Sequence, residues 1–202
     1  MKFGPKYKIA RKVGAPVFEK TQTQKFAMRD ARRKAAKSGK PRAKTDYGLQ
    51  VLEKQKARYS YGLGERQFSK YVKNAVASKG DSSNVLLSTL ESRLDNAVVR
   101  SGMVPTRAFA RQVVTHGHIL VNGKKVSYPS YEVSVGDKIS IREGSKKSAM
   151  FTALDEKMKS YTVPAWLKYY PEKQEWEVQG QPTIGKTDVM FNIGVVLEFY
   201  SR

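Results

Sequence analysis

The sequence predicts an α+β protein: a basic extended N-terminal arm, a helical domain, and a helix-turn-helix that leads into a small antiparallel sheet. Three observations predict it. Basic charge is concentrated at the front, where residues 1–80 hold 22 Lys/Arg against 5 Asp/Glu, out of 38 and 18 in all 202 residues. Apolar residues then recur at helical spacing from Phe68 to Val114. From Ile119 the period switches to alternation around an Asn-Gly pair, the strongest short hairpin signal.

Residues 1–44 show no sustained period and predict an extended arm that orders against its partner. A solvated basic tail is the plainer alternative. Phe3, Tyr7, Phe18 and Phe26 interleave the cations, and Gly4-Pro5 and Gly14-Ala15-Pro16 punctuate them, which favours a phosphate-neutralising arm. A helical domain is expected over 45–85. Thr45 or Asp46 caps its first helix, with Leu49, Val51 and Leu52 inward and Lys54, Lys56 and Arg58 outward. Tyr61-Gly62-Leu63-Gly64 breaks it, and Phe68, Tyr71, Val72, Ala75 and Val76 form one face of the next, closed by Gly80.

Residues 86–150 are expected to form the second folded segment. Asp81-Ser82-Ser83-Asn84 caps a helix whose stripe is Leu87, Leu90, Leu94 and Val98, ending at Gly102. Thr106 caps another, with Ala110, Val113 and Val114 inward and Gly117 as its stop. A strand at 119–121, an Asn122-Gly123 turn, a return strand at 124–126 and a strand at 138–142 follow. Residues 151–202 complete the body: Phe151, Leu154 and Met158 predict a helix, Trp176 a strand, and the alternation Val195, Leu197, Phe199 a C-terminal strand.

Several function classes drop out. With no cysteine there is no disulfide framework, thiol nucleophile or Cys-ligated metal. His116 and His118 alone make a poor metal site. No apolar run approaches the ~18 residues of a membrane span, and no signal peptide is expected. Tyr61-Gly62-Leu63-Gly64 lacks the third glycine and preceding strand of a nucleotide fingerprint. Asp155, Glu156, Glu172, Glu175 and Glu177 lie in polar stretches, without the apolar pocket a general acid requires. A net charge of +20 points instead to a polyanionic partner. The sequence offers no small-molecule substrate, cofactor or metal.

Residues 90–126 carry the chemistry. Arg93 and Arg100 fall on the first helix of the pair. Arg107 and Arg111, four apart, share a face of the second. Glu91 and Asp95 are the obvious acid partners. Guanidinium forks match phosphate geometry, and Lys124-Lys125 adds a positive rim. The plainer alternative is an ordinary helix pair with a solvated arginine face.

Three motifs stand here in order: Arg93-Leu94-Asp95-Asn96-Ala97-Val98, Thr106-Arg107-Ala108-Phe109-Ala110-Arg111-Gln112, and Val121-Asn122-Gly123-Lys124. The stretch resembles the RNA-binding module shared by ribosomal protein S-four, the tyrosyl-tRNA synthetase tail, many pseudouridine synthases and a heat-shock protein. The flanks are similar to bacterial ribosomal protein S-four: Gly4-Pro5-Lys6, Lys40-Pro41-Arg42, Asp46-Tyr47-Gly48-Leu49-Gln50, Glu53-Lys54-Gln55-Lys56, Glu65-Arg66-Gln67-Phe68 and Leu197-Glu198-Phe199-Tyr200-Ser201. The resemblance covers nearly the whole chain and is weakest over 15–39 and 144–190.

That resemblance implies a cytoplasmic, ribosome-bound, non-enzymatic protein. It would bind the five-prime domain of small-subunit ribosomal RNA early in assembly and bear on translational accuracy. The implied RNA contacts are Lys2, Lys6, Lys8, Arg11, Lys12 and Lys44 in the arm, and Tyr47, Lys54, Lys56, Arg58, Tyr61, Arg66 and Gln67 in the helical domain. In the module they are Arg93, Arg107, Arg111, Gln112, His118 and Lys124. Lys40 and Arg42 match positions associated with the messenger-RNA entry channel. Small-subunit proteins S-three and S-five are the implied neighbours, and some relatives repress their own operon. Many relatives carry arm cysteines, in some cases binding zinc; this chain has none, so no zinc role carries over. Three other hosts of such a module are a targeting segment of an RNA-modifying enzyme, a ribosome-associated RNA chaperone and a DNA-binding protein. The first lacks room for a catalytic domain after the module. The second does not account for residues 46–80. Competition between duplex DNA and structured RNA separates the third.

Overall fold

A computed structural model describes residues 3–36, 44–183 and 189–201. Lys2, Lys40 and Arg42 lie outside the described residues. The chain forms two compact units, residues 1–85 with 185–202, and residues 86–184.

In the first unit, α1 (Lys6–Val13) ends at Gly14, whose φ of 73° is the left-handed stop a glycine permits. A 3₁₀ turn (Glu19–Thr21) and α2 (Gln24–Ala35) follow. The arm expected to be extended is therefore largely helical. Its aromatics supply the reason. Ala10, Val13, Val17 and Phe18 make a small core, with Phe3, Phe26, Leu52 and Tyr59 packed against it. Tyr7 stacks on Phe26 at 5.6 Å between centroids, and Phe3 meets Tyr59 edge-on at 5.2 Å. Thr21 Oγ1 donates to the Phe18 carbonyl and accepts from its N–H, which locks the turn.

α3 (Asp46–Ser60) starts at the Thr45 cap, whose Oγ1 accepts from the Gly48 N–H. α4 (Glu65–Ala77) buries Phe68, Val72 and Ala75, while Val76 is exposed. The inward face of α3 is Gln50 and Ala57, not Leu49, which is exposed. The expected C-terminal strand is a helix, α10 (Ile193–Ser201). Its buried residues, Ile193 and Val196, are three apart, and Tyr200 continues that face to reach Phe68 at 6.1 Å. In so short a run, apolar alternation and one helical face are the same pattern.

The boundary between the units falls within α5 (Ser82–Glu91). In the second unit α6 (Leu94–Arg100) and α7 (Arg107–Thr115) follow. The single helix expected from Leu87 to Val98 is thus broken at Ser92-Arg93. The loop 129–133 causes the break. Pro129 and Tyr131 carbonyls take the N–H groups of Asp95 and Leu94, and the Val133 N–H donates to the Ser92 carbonyl. Arg93 is extended there, bridged to Glu132.

The sheet is antiparallel throughout, in the order β2-β1-β3-β5-β4. Its strands are β1 (Ile119–Val121), β2 (Lys124–Lys125), β3 (Lys138–Ile141), β4 (Leu167–Tyr170) and β5 (Glu175–Val178). Asn122 and Gly123 have φ of 51° and 75°, as a type I′ turn requires. A one-turn helix α8 (Glu143–Lys146) and α9 (Leu154–Ser160) fill the link between β3 and β4. One core joins Leu94, Val98, Val113, Val114, Ile119, Ile139, Ile141 and Trp176. It fixes α6 and α7 against the sheet, and so fixes what α7 presents outward. With separate helices and one small sheet, the fold is α+β.

Candidate nucleic-acid interface

The second unit buries two carboxylates under a set of arginines. Glu91 accepts from Arg100 Nε at 2.9 Å and Nη2 at 3.2 Å, and from Asn96 Nδ2 at 2.6 Å; Arg107 Nη2 lies 4.0 Å away. Arg107 Nε also donates to Asn96 Oδ1 at 2.7 Å. Asp95 accepts from Arg93 and from Arg111 Nη2 at 2.9 Å. Four guanidinium groups meet two carboxylates, so the cluster is positive as a whole. Ion pairs this far from water persist only with further hydrogen bonds, which Asn96 and the Pro129 carbonyl provide.

The arginines are not equivalent. The side chains of Arg100, Arg107 and Arg111 remain 32%, 25% and 24% exposed, whereas that of Arg93 is 1% exposed. Arg93, expected among the RNA contacts, is a core residue here, covered by Asp95 and the loop through Pro129. Arg107 and Arg111 do share a face of α7, and exposed Gln112, Thr115 and His116 continue its outer surface.

The hairpin stands at the end of that helix. Gly117 has φ of 74°, a left-handed conformation that favours glycine, and the flexible end of the Lys125 side chain lies against it, where it would have to move aside for a Cβ. Lys124 and Lys125 are exposed. His118 is partly exposed, with Nδ1 2.9 Å from Ser145 Oγ and its ring 6.1 Å from that of His116. The Arg142 N–H donates to the His118 carbonyl, which brings the end of β3 to this corner.

In the first unit, several expected RNA contacts work within the fold. Lys54 donates to Glu65 at 2.8 Å and lies 4.5 Å from the Phe199 ring centroid. Arg58 holds Gln55 Oε1 with two N–H groups, lies 3.6 Å from Glu65 and stacks on Tyr59. Lys56 pairs with Glu53 at 2.6 Å. The three were expected to face out, yet their side chains are largely covered. Tyr61, expected among the RNA contacts, is buried and packs edge-on to Phe191. Burial alone would raise the Glu65 pKa; hydrogen bonds from Lys54 and Tyr200 and the charges of Lys54 and Arg58 outweigh it and hold the carboxyl below its ordinary value. Burial, then the bond to Glu65, pushes the Tyr200 phenol well up.

Lys8, Arg11, Lys12, Lys44, Tyr47 and Arg66 are exposed. Lys6 is half-buried, 5.6 Å from the Phe18 ring, and Gln67 donates to the Tyr71 hydroxyl. The residue pattern names Arg100, Lys125, Glu91 and Asp95 without placing them among the RNA contacts, and it does not announce that both acids are buried within the arginine cluster.

Residues 2–91 match the family described as the ribosomal protein S4/S9 N-terminal domain, and residues 92–139 match the S4 domain. The small ribosomal subunit protein uS4 of Roseiflexus castenholzii is 42% identical over 201 residues, covering 98% of each chain. The uS4A protein of Clostridium novyi is 43% identical over 98% of each. The uS4 of Cutibacterium acnes is 46% identical, over 81% of this chain and 82% of its own.

The chain belongs to the uS4 family.

The uS4 family is structural and non-enzymatic, made of small-subunit ribosomal proteins in the cytoplasm. The S4-domain match ends within β3, so in this uS4 family member β5 and β4 extend the sheet beyond the matched segment. Among the described residues, no three His, Cys, Asp or Glu side chains converge as a metal site. None of the described helices is long and apolar enough to cross a membrane.

Proposed function

We propose that this chain is a structural constituent of the small ribosomal subunit that binds the five-prime domain of its ribosomal RNA and nucleates assembly there. The partly exposed Arg107 and Arg111 on α7, continued by Gln112 and flanked by Lys124 and Lys125, support this reading. That face lies within the S4-domain match of a uS4-family chain. The mechanism is charge and shape. Arginines neutralise phosphates of converging RNA helices. Recognition rests on helix geometry, because the A-form major groove is too narrow to read. The arm cations Lys8, Arg11 and Lys12 extend the contact from a folded surface. Lys40 and Arg42 facing messenger RNA at the entry channel, and contacts with small-subunit proteins S-three and S-five, belong to the same proposal.

A salt titration tests it. Binding to the five-prime-domain transcript is compared with binding to a structured RNA of equal length and unrelated sequence. The cognate RNA is expected to keep its advantage at raised salt, with a slope of about −0.7 to −0.9 per phosphate contacted. Equal affinities that fall together would refute the proposal.

A further inference from the structure

We infer that Glu91 and Asp95 are positioning residues of the RNA-binding face: two negative charges that strengthen binding to a polyanion by holding the arginines that touch it. The inference rests on the reading of the α7 face as an RNA contact. Electrostatics alone predicts the opposite. A carboxylate close to the phosphates should repel them, and its neutralisation should tighten binding.

The geometry argues otherwise. Glu91 is fully buried and Asp95 nearly so, so neither carboxylate faces a ligand. Each binds a guanidinium on a side chain that stays partly exposed. Arg100 offers Nε and Nη2 to Glu91. Arg111 offers Nη2 to Asp95. Arg107 is held by Asn96, which Glu91 holds in turn at 2.6 Å. An arginine side chain gives up rotamer entropy when it is fixed. The buried acids take that loss during folding, before RNA arrives, so the guanidinium groups meet phosphate already oriented. Each acid also spans two elements. Glu91 on α5 ties the end of α6 to the start of α7, and Asp95 on α6 ties Arg93 to the middle of α7. The spacing between arginines, which shape recognition needs, is set by the acids.

E91Q and D95N test this in the full chain, with the five-prime-domain transcript as the probe. E143Q is the charge control: it also removes one negative charge, from a carboxylate whose side chain is 84% exposed. E91Q and D95N are expected to bind about tenfold more weakly, since a charge-assisted contact is lost, with a salt slope shallower by about one phosphate. E143Q should bind as well as the wild type or better. Should E91Q and D95N fail to fold, judged by circular dichroism, R107K and R111K replace them. These keep the charge but not the fork, and the expected loss is several-fold. Wild-type affinity and slope in the folded acid variants, or in the lysine variants where the acid variants do not fold, would overturn the inference. A wild-type protein that fails to prefer the five-prime-domain transcript would instead overturn the functional reading beneath it.

Discussion

Arg93 and Asp95 lie side by side, Nε to Oδ1 at 3.1 Å and Nη2 to Oδ2 at 2.8 Å, in the interior of the second unit. The pair closes the gap between α5 and α6, where the chain leaves helical geometry. Removing one partner of a buried pair leaves an uncompensated charge. Arg93→Met is expected to cost about 3 kcal/mol, the low end for such a pair, because Arg111 still answers Asp95. Urea denaturation measures the loss. RNA affinity of the folded fraction should change far less than stability does.

The start of α7 depends on Thr106, whose Oγ1 accepts from the Phe109 N–H at 3.2 Å. Thr106→Ala is expected to lower stability by about 1 kcal/mol, and Thr106→Ser to restore most of it. Comparison of denaturation midpoints checks both.

Gly102 has φ of 81°, and an added Cβ would sit 2.7 Å from the Tyr161 ring. That ring donates its hydroxyl to the Arg100 carbonyl, and Lys157 donates to the Gly102 carbonyl. Gly102→Ala is expected to cost about 1–2 kcal/mol from the backbone alone. The displaced ring adds to that. A lower thermal midpoint with greater Tyr161 solvent accessibility is the readout.

Glu65 gives the first unit an acid-sensitive contact. Its folded pKa lies below the ordinary 4.5, so its stabilisation is complete above that value and fades as pH falls through the folded one. Glu65→Gln should destabilise the protein at neutral pH and flatten the acid limb of its stability curve. The Glu65 side chain is 44% exposed, so the effect is small and screened by salt. Denaturant midpoints across an acid pH series measure it.

Phe18 anchors the arm against Phe3 and Tyr59, at 6.1 and 5.9 Å between centroids. Phe18→Ala is expected to cost about 3 kcal/mol of local packing. Faster proteolysis in residues 3–36, at an unchanged rate in the second unit, is the expected result.

Local signals were legible in the sequence and long-range ones were not. Thr45, Thr106 and Asn122-Gly123 act within four residues, and each does what its type predicts. Val113 and Val114 face the core as their spacing requires. The failures share a cause. The break at Arg93 depends on a loop some forty residues on, and β4 is a strand because β5 pairs with it. α10 reads as a strand until α3 and α4 supply the surface for one helical face. The site divides the same way. That Arg107 and Arg111 share a face follows from their spacing. That Arg93 is enclosed follows from the loop, which no local pattern announces.

The first unit is discontinuous in sequence, and this bears on the timing of synthesis. α10 is translated after the whole of the second unit, yet Gln50, Tyr47 and Phe68 find Glu198, Phe199 and Tyr200 on it. Until then α3 and α4 lack the helix that packs on them, and the apolar surface around Phe68 stays uncovered on the nascent chain. A product abandoned before Ile193 would keep that surface open to chaperones and proteases.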